Sequence, residues 1–176
     1  MTVFAAFLRG VNLGKRTVKS TDLKSAFEKL GFANVKTLLA SGNVLFEAED
    51  EPGLAASIET GLHQAFGFEI GTVLRSHDAL KKLVASDPYK SVPKDADAKF
   101  YVALLHDPLG KTLKLPYGVP GDFDVLSVDD YHVFAVAWRK PDGRYGADGL
   151  LDLAKQFPKK ALVTMRNWNT IVKAAA

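Results

Sequence analysis

Apolar and polar positions follow two different periods along this chain, and the switches between them mark its elements. Val3-Phe4-Ala5-Ala6-Phe7-Leu8 is an unbroken apolar run with aromatic and β-branched members. A run of that length predicts a strand buried on both faces. Leu23, Ala26, Phe27 and Leu30 then recur at helical spacing behind Ser20-Thr21-Asp22, which predicts a capped helix stopped by Gly31. Asn34 to Ser41 reads as a strand, Gly42-Asn43 as a two-residue turn, and Val44-Leu45-Phe46 as the returning strand of a tight hairpin. The acidic tract Glu47-Ala48-Glu49-Asp50-Glu51 and Pro52 lead into a second helix, with an apolar stripe at Leu54, Ile58, Leu62, Ala65 and Phe66 and an end at Gly67. Phe68, Ile70 and Val73 alternate as a strand that Arg75 closes. Residues 3 to 75 therefore predict βαββαβ, the ferredoxin-like order, with both helices on one face of an antiparallel sheet. In that reading the first strand and the strand ending at Ser41 are the two central ones.

The remainder, about 76–176, predicts a second, smaller α+β sub-structure packed on the first. Ser76-His77-Asp78 caps a short helix bearing Leu80, Leu83 and Val84. Phe100 to Leu105 is a strand, and the prolines and glycines of His106 to Pro120 predict irregular structure. Phe123 to Val128 and Tyr131 to Trp138 read as strands joined at Asp129-Asp130. Asp148 caps a helix bearing Leu150, Leu151, Leu153 and Ala154 that stops before Pro158. Arg166 to Ala174 reads as a last helix with Trp168, Ile171 and Val172 on one face. No Gly-, Ser- or Pro-rich linker divides the chain, so a single domain over residues 1 to 176 is expected.

Composition narrows the function only a little. A hydrophobic fraction of 47% and a charged fraction of 24% are ordinary for a globular protein. Net charge is +3, too small by itself to indicate nucleic-acid binding without clustering. The absence of cysteine excludes disulfides, thiolate metal sites and a cysteine nucleophile. No signal-peptide core and no apolar run long enough for a bilayer is present, so a cytoplasmic protein with no membrane partner is expected.

Three segments hold candidate chemistry. Arg9-Gly10-Val11-Asn12-Leu13-Gly14-Lys15-Arg16 follows the first strand and resembles a phosphate-binding P-loop. It departs from that motif in having three residues between its glycines and Arg16 where a hydroxyl would hold magnesium. An anion-binding loop built from backbone N–H groups and cations stands beside the plain explanation of a sharp exit turn with solvated charge. Ser41-Gly42-Asn43 lacks the surroundings of a nucleophile elbow and is explained by turn chemistry. Arg166-Asn167-Trp168-Asn169 offers stacking and hydrogen bonds to a planar ligand, against a reading of Trp168 as core, Thr164 or Asn167 as a cap and Arg166 as locally paired. The histidines, His63, His77, His106 and His132, show no metal-ligand spacing, and neither a metal nor a cofactor is expected. Asp122, Asp124, Asp129 and Asp130 read as turn and solubility residues before they read as a magnesium site.

Taken together, Phe7-Leu8-Arg9-Gly10-Val11-Asn12-Leu13-Gly14, Leu39-Ala40-Ser41-Gly42-Asn43-Val44-Leu45-Phe46 and Thr164-Met165-Arg166-Asn167-Trp168-Asn169-Thr170 resemble the signatures of the DUF1697 family of bacterial proteins. The resemblance implies an α+β fold of two related sub-structures and no established activity. Its pattern falls on Arg9, Gly10, Asn12 and Gly14, on Ser41, Gly42 and Asn43, and on Arg166, Asn167 and Trp168. Lys15 and Met165 depart from it, standing where the family often has glycine and threonine.

The expected ligand site is thus Arg9, Gly10, Asn12, Gly14, Ser41, Asn43, Arg166, Asn167 and Trp168, holding an anion such as a nucleotide or nucleic-acid phosphate. A small-substrate enzyme and a non-catalytic protein-interaction module are the competing expectations. The sequence leaves the catalytic residues and the oligomeric state open.

Overall fold

A computed structural model of the chain describes residues 1–39, 42–110, 113–146 and 152–176. The first element is β1, Thr2–Arg9, whose side chains from Phe4 to Leu8 are all buried. It is followed by α1 (Ser20–Lys29), β2 (Ala33–Thr37), β3 (Asn43–Ala48), α2 (Leu54–Phe66) and β4 (Gly71–Ser76). These strands form a four-stranded sheet in the order β2-β3-β1-β4, antiparallel at every pairing. The interior strands are therefore β1 and β3. The strand expected to end at Ser41 is β2, which lies at the edge and ends at Thr37.

The hairpin also differs from its expected form. Asn43 is the first residue of β3, not a turn residue, and it is buried. Its side-chain amide donates to the Leu38 carbonyl at 3.1 Å, and the Leu38 N–H donates to the Asn43 carbonyl at 2.9 Å. The connection is thus wider than two residues. Ala40 and Ser41, inside it, lie outside the described residues.

Helix ends follow local chemistry. No side chain caps α1, whose cap position is Lys19 and whose expected caps lie in its first turn. There Asp22 favours the positive end of the helix dipole. Gly67, with φ of 79°, ends α2 through an N–H bond of 2.8 Å to the His63 carbonyl. The core beneath both helices gathers Phe4, Leu8, Leu23, Phe27, Phe46, Ile58 and Leu62. Phe46 is its hub, with ring centroids 5.3 Å from Phe27, 4.8 Å from Phe32 and 5.8 Å from Phe4.

The elements described after β4 include α3 (His77–Ala85), β5 (Ala98–Leu105), β6 (Tyr117–Val119), β7 (Phe123–Val128), β8 (His132–Trp138), β9 (Val163–Asn167) and α4 (Trp168–Ala175). Ser76 Oγ accepts from the Ala79 N–H at 3.1 Å and so caps α3 as its sequence implies. The second sheet has five strands, β6-β7-β8-β5-β9, so the second sub-structure is not the smaller one. Two of its strands were hidden in the sequence. β6 lies inside the stretch read as irregular, and β9 occupies residues read as the start of the last helix. That helix begins at Trp168 and buries Thr170, Ile171, Ala174 and Ala175, whereas Val172 is exposed. The expected cap Asp148 and the positions Leu150 and Leu151 lie outside the described residues, while Leu153 is fully buried.

The chain divides into two compact units, residues 1–82 with 172–176, and residues 83–171. No helix among the described residues is long and apolar enough to cross a membrane.

Removing the hub ring tests this account of the first core. Phe46→Ala is expected to lower unfolding stability by about 3–5 kcal/mol, the usual cost of deleting a fully buried phenylalanine, as read from a urea midpoint. A loss below about 1 kcal/mol would mean that the ring cluster does not organise the core.

Candidate functional site

The antiparallel registers decide what meets at each end of the first sheet. Phe7 stands opposite Asn43 and Arg9 opposite Gly71, while Thr2 stands opposite Ala48 at the far end. The Leu8 N–H donates to the Gly42 carbonyl at 2.8 Å. The loop after β1, the loop before β3 and the Gly67–Ile70 connection therefore share one sheet end.

Arg9, Lys15, Arg16 and Lys19 are all exposed there. By the alternation of a strand, Arg9 leaves on the face of Ala5 and Phe7. Arg16 goes the other way, its guanidinium carbon 4.6 Å from the centre of the Phe68 ring, which packs on the helix-side core. The cations thus spread along a rim rather than converge on a point. Gly10 and Gly14 have φ of 87° and 61°, so both occupy the left-handed region. A Cβ on Gly10 would also stand 3.4 Å from the Glu69 carbonyl oxygen. The Asn12 side chain is a staple: its Oδ1 accepts from the Val18 N–H at 3.2 Å. Acidic residues at this end are Asp22, Glu69 and Glu59, whose Oε1 accepts from the Thr72 N–H at 2.9 Å, whereas Glu49, Asp50 and Glu51 follow β3 at the opposite end. There Glu49 pairs with the N-terminal ammonium at 3.7 Å.

The sequence-derived site divides between the two units. Arg9, Gly10, Asn12, Gly14 and Asn43 belong to the first; Arg166, Asn167 and Trp168 belong to the second. Ser41 lies outside the described residues. Three of the expected ligand groups, Asn12, Asn43 and Arg166, make hydrogen bonds within the fold. Asn43 bonds across the β2–β3 connection, and Arg166 Nη1 donates to Thr164 Oγ1 at 2.6 Å and to the Met165 carbonyl at 2.9 Å. Burial lowers the Arg166 pKa to about 10.

Asn167 and Trp168 instead line an open cleft of about 400 Å³, together with Ala98, Lys99, Phe100 and Asn169. It exists because β9 ends at Asn167, opposite Tyr101, while β5 begins three residues earlier at Ala98. Trp168 is half-buried, with centroid distances of 5.2 Å to Tyr89 and 6.2 Å to Phe134, both edge-on. Tyr89 donates its hydroxyl to the Tyr101 carbonyl, and burial pushes its pKa up. Beside the cleft, Lys99 Nζ sits 4.5 Å from the Tyr145 ring centre. Tyr145 donates to Asp97 Oδ1 at 2.5 Å, and Arg139 donates to Asp97 Oδ2 at 3.0 Å. Sequence reasoning missed Lys99 and Phe100, because only the β5–β9 register brings the start of β5 near Asn167, and Asp97, whose partners Arg139 and Tyr145 are distant in sequence.

Of the other candidate carboxylates, Asp129 and Asp124 serve the fold. Asp129 Oδ1 accepts from the Tyr131 N–H and His132 Nδ1, both at 2.9 Å, and so closes the β7–β8 turn. Asp124 Oδ2 accepts from Trp138 Nε1 at 2.8 Å. Among the described residues no three His, Asp or Glu side chains are placed to hold a metal ion.

Comparison with known proteins then places the chain. The model of a family described as "Protein of unknown function (DUF1697)" matches residues 1–115. The chain belongs to the DUF1697 family. The match contains the first two signature segments and leaves Thr164–Thr170 outside it. A solved structure described as that of "conserved bacterial protein SP0830 from Streptococcus pneumoniae" has the same fold. It is 20% identical, with a TM-score of 0.71, and the alignment covers 99% of this chain and 97% of that one. The chain matches no curated protein.

The Asp97 cluster generates a pH prediction. The Tyr145 hydroxyl, and next the Arg139 guanidinium, hold the Asp97 carboxyl below its ordinary value of 3.8. Because the folded value is the lower one, this contribution to stability is complete above pH 3.8 and is lost as pH falls through the folded value. Side-chain carbon NMR should show Asp97 titrating below 3.8, and Tyr145→Phe should move it upward. An unmoved titration would remove the tyrosine from the cluster.

Proposed function

We propose that this DUF1697 protein binds a phosphate-bearing polyanion, best matched by a nucleic-acid strand, along the rim after β1. The excess of exposed cations at one sheet end of the first unit carries the reading. Arg9, Lys15, Arg16 and Lys19 stand exposed at one sheet end, and Glu49, Asp50 and Glu51 follow the opposite one. Exposed cations interact weakly one at a time, but they act together against a ligand that repeats its charge. Their spread over both sheet faces suits a chain of phosphates better than one nucleotide. Gly10 and Gly14 keep the loop backbone free of side chains, so a phosphate could approach it closely. The element order and the β2-β3-β1-β4 arrangement support reading the first unit as ferredoxin-like.

A second reading has its own observation. Leu13 and Leu39, in two loops of the same sheet end, are 60% and 47% exposed, which suits an apolar protein contact. The enzyme reading has less support, because the His132–Asp129 pair is used in a turn.

Fluorescence anisotropy with a labelled single-stranded oligonucleotide over a salt series separates these readings. Each neutralised phosphate contributes about −0.7 to the slope of log affinity against log salt. Replacing Lys15, Arg16 and Lys19 together by glutamine should weaken binding and make that slope shallower by about 2. Unchanged affinity and slope would overturn the proposal and leave the apolar contact as the better account of this sheet end.

A further inference from the structure

The cleft between the start of β5 and the start of α4 has a chemistry that the rim does not share, and it does not depend on the polyanion reading. We infer that it is a mononucleotide site, with the base stacked on Trp168 and the phosphate held at Lys99. Three observations point that way. Its volume of about 400 Å³ admits one small organic ligand and leaves no room for a folded chain. Trp168 is pinned on one side by the edge-on rings of Tyr89 and Phe134, so the indole is a rigid wall that a planar ring stacks on without ordering cost. The polar groups are those that a base and a phosphate require. Asn167 and Asn169 each supply two donors and an acceptor, the mixture found on a base edge. Both side chains are exposed, and among the described residues neither amide is committed to a hydrogen bond.

Lys99 supplies the positive charge from the other face of β5, where its ammonium is held over the Tyr145 ring, itself anchored by Asp97, so the ligand would span the uncovered edge of β5 between Trp168 and Lys99. The first turn of α4 begins at Trp168, so its unbonded N–H groups add to the positive potential at the same place. Phe100 carries the aromatic surface on from Trp168, through ring contact with Tyr89 at 4.8 Å. Arg166 takes no part, since its guanidinium is engaged with its own strand.

Nitrogen–proton NMR of the indole groups reads the site directly, with Trp138 as an internal reference because its Nε1 is bonded to Asp124. The Trp168 signal is assigned by its loss in Trp168→Phe. Titration with adenosine monophosphate should move the Trp168 signal saturably and leave that of Trp138 in place. Adenosine should move it with lower affinity, and inorganic phosphate alone should leave it unmoved. Lys99→Ala should weaken the monophosphate about tenfold, the worth of one charge-assisted hydrogen bond, and leave adenosine unchanged. Asn167→Ala should weaken both. The rim variant lacking Lys15, Arg16 and Lys19 should bind the monophosphate as the unaltered chain does, which separates failure here from failure at the rim. No Trp168 shift at millimolar monophosphate would overturn the site. So would equal affinity in Lys99→Ala, or loss of binding in the rim variant.

Discussion

Burial of β1 on both faces is the constraint from which the first unit follows. Phe4 to Leu8 leave no position for a polar side chain, so β1 must be an interior strand with partners on both edges, here β3 and β4. A strand of this kind meets water only where it ends. Arg9 is the first exposed side chain after the buried run, and Gly10, at positive φ beside the Glu69 carbonyl, turns the chain away. The polar loop and its charges lie at that sheet end because no earlier position could carry them. Antiparallel pairing then brings the start of β3 to the same place and sends the acidic tract after Ala48 to the other.

Termination shapes the second unit as well, in a different way. β5 and β8 are its interior strands, and β9 covers β5 only from Leu105 to Tyr101. The chain leaves the sheet there because Trp168 turns into the aromatic cluster of Tyr89, Phe100 and Phe134. Burying one side of the indole in that way leaves the first residues of β5 uncovered, and the cleft is the space that results. Packing and site formation at Trp168 are therefore one event. A half-buried ring answers the core reading that the sequence offers for that residue and leaves part of the indole open to the proposed ligand.

Elements with a strong period were legible from the residues alone. The apolar run of β1, the stripes of α1 and α2, and the strands β5, β7 and β8 fall close to where their patterns put them. The failures share a cause, which is that the deciding partner is distant in sequence. Val163–Asn167 carries no clear alternation, and it is a strand only because β5 offers it an edge. Asn43 beside Gly42 has the composition of a turn, yet the β1–β3 register draws it into the sheet and buries it. For Arg166 the sequence offers both a ligand group beside Trp168 and a locally paired side chain, and its bonds to Thr164 and Met165 are local. Its place within a strand, where its side chain bonds Thr164 and the Met165 carbonyl, was not visible from its neighbours. Lys99 and Phe100 were missed for the same reason, since nothing in their local sequence marks them as facing Asn167.

The two candidate sites differ in where their binding energy would come from, and that difference restricts their ligands. Along the rim the charges are exposed, well screened by water and salt, and Arg9 and Arg16 leave opposite faces of the sheet. Such an arrangement gains little from a compact ligand, which reaches only part of it, and gains with each added phosphate of an extended one. The cleft has the opposite balance. It offers a single ammonium, two amides and an aromatic wall, so its gain would come from stacking together with a few directed polar contacts. A long polyanion would find only one positive charge there, whereas a base with one phosphate would match the indole and the ammonium across the edge of β5. The two ends of nucleotide chemistry, repeating phosphate and planar ring, are thus matched by different parts of this chain, and each match rests on residues that the other does not use.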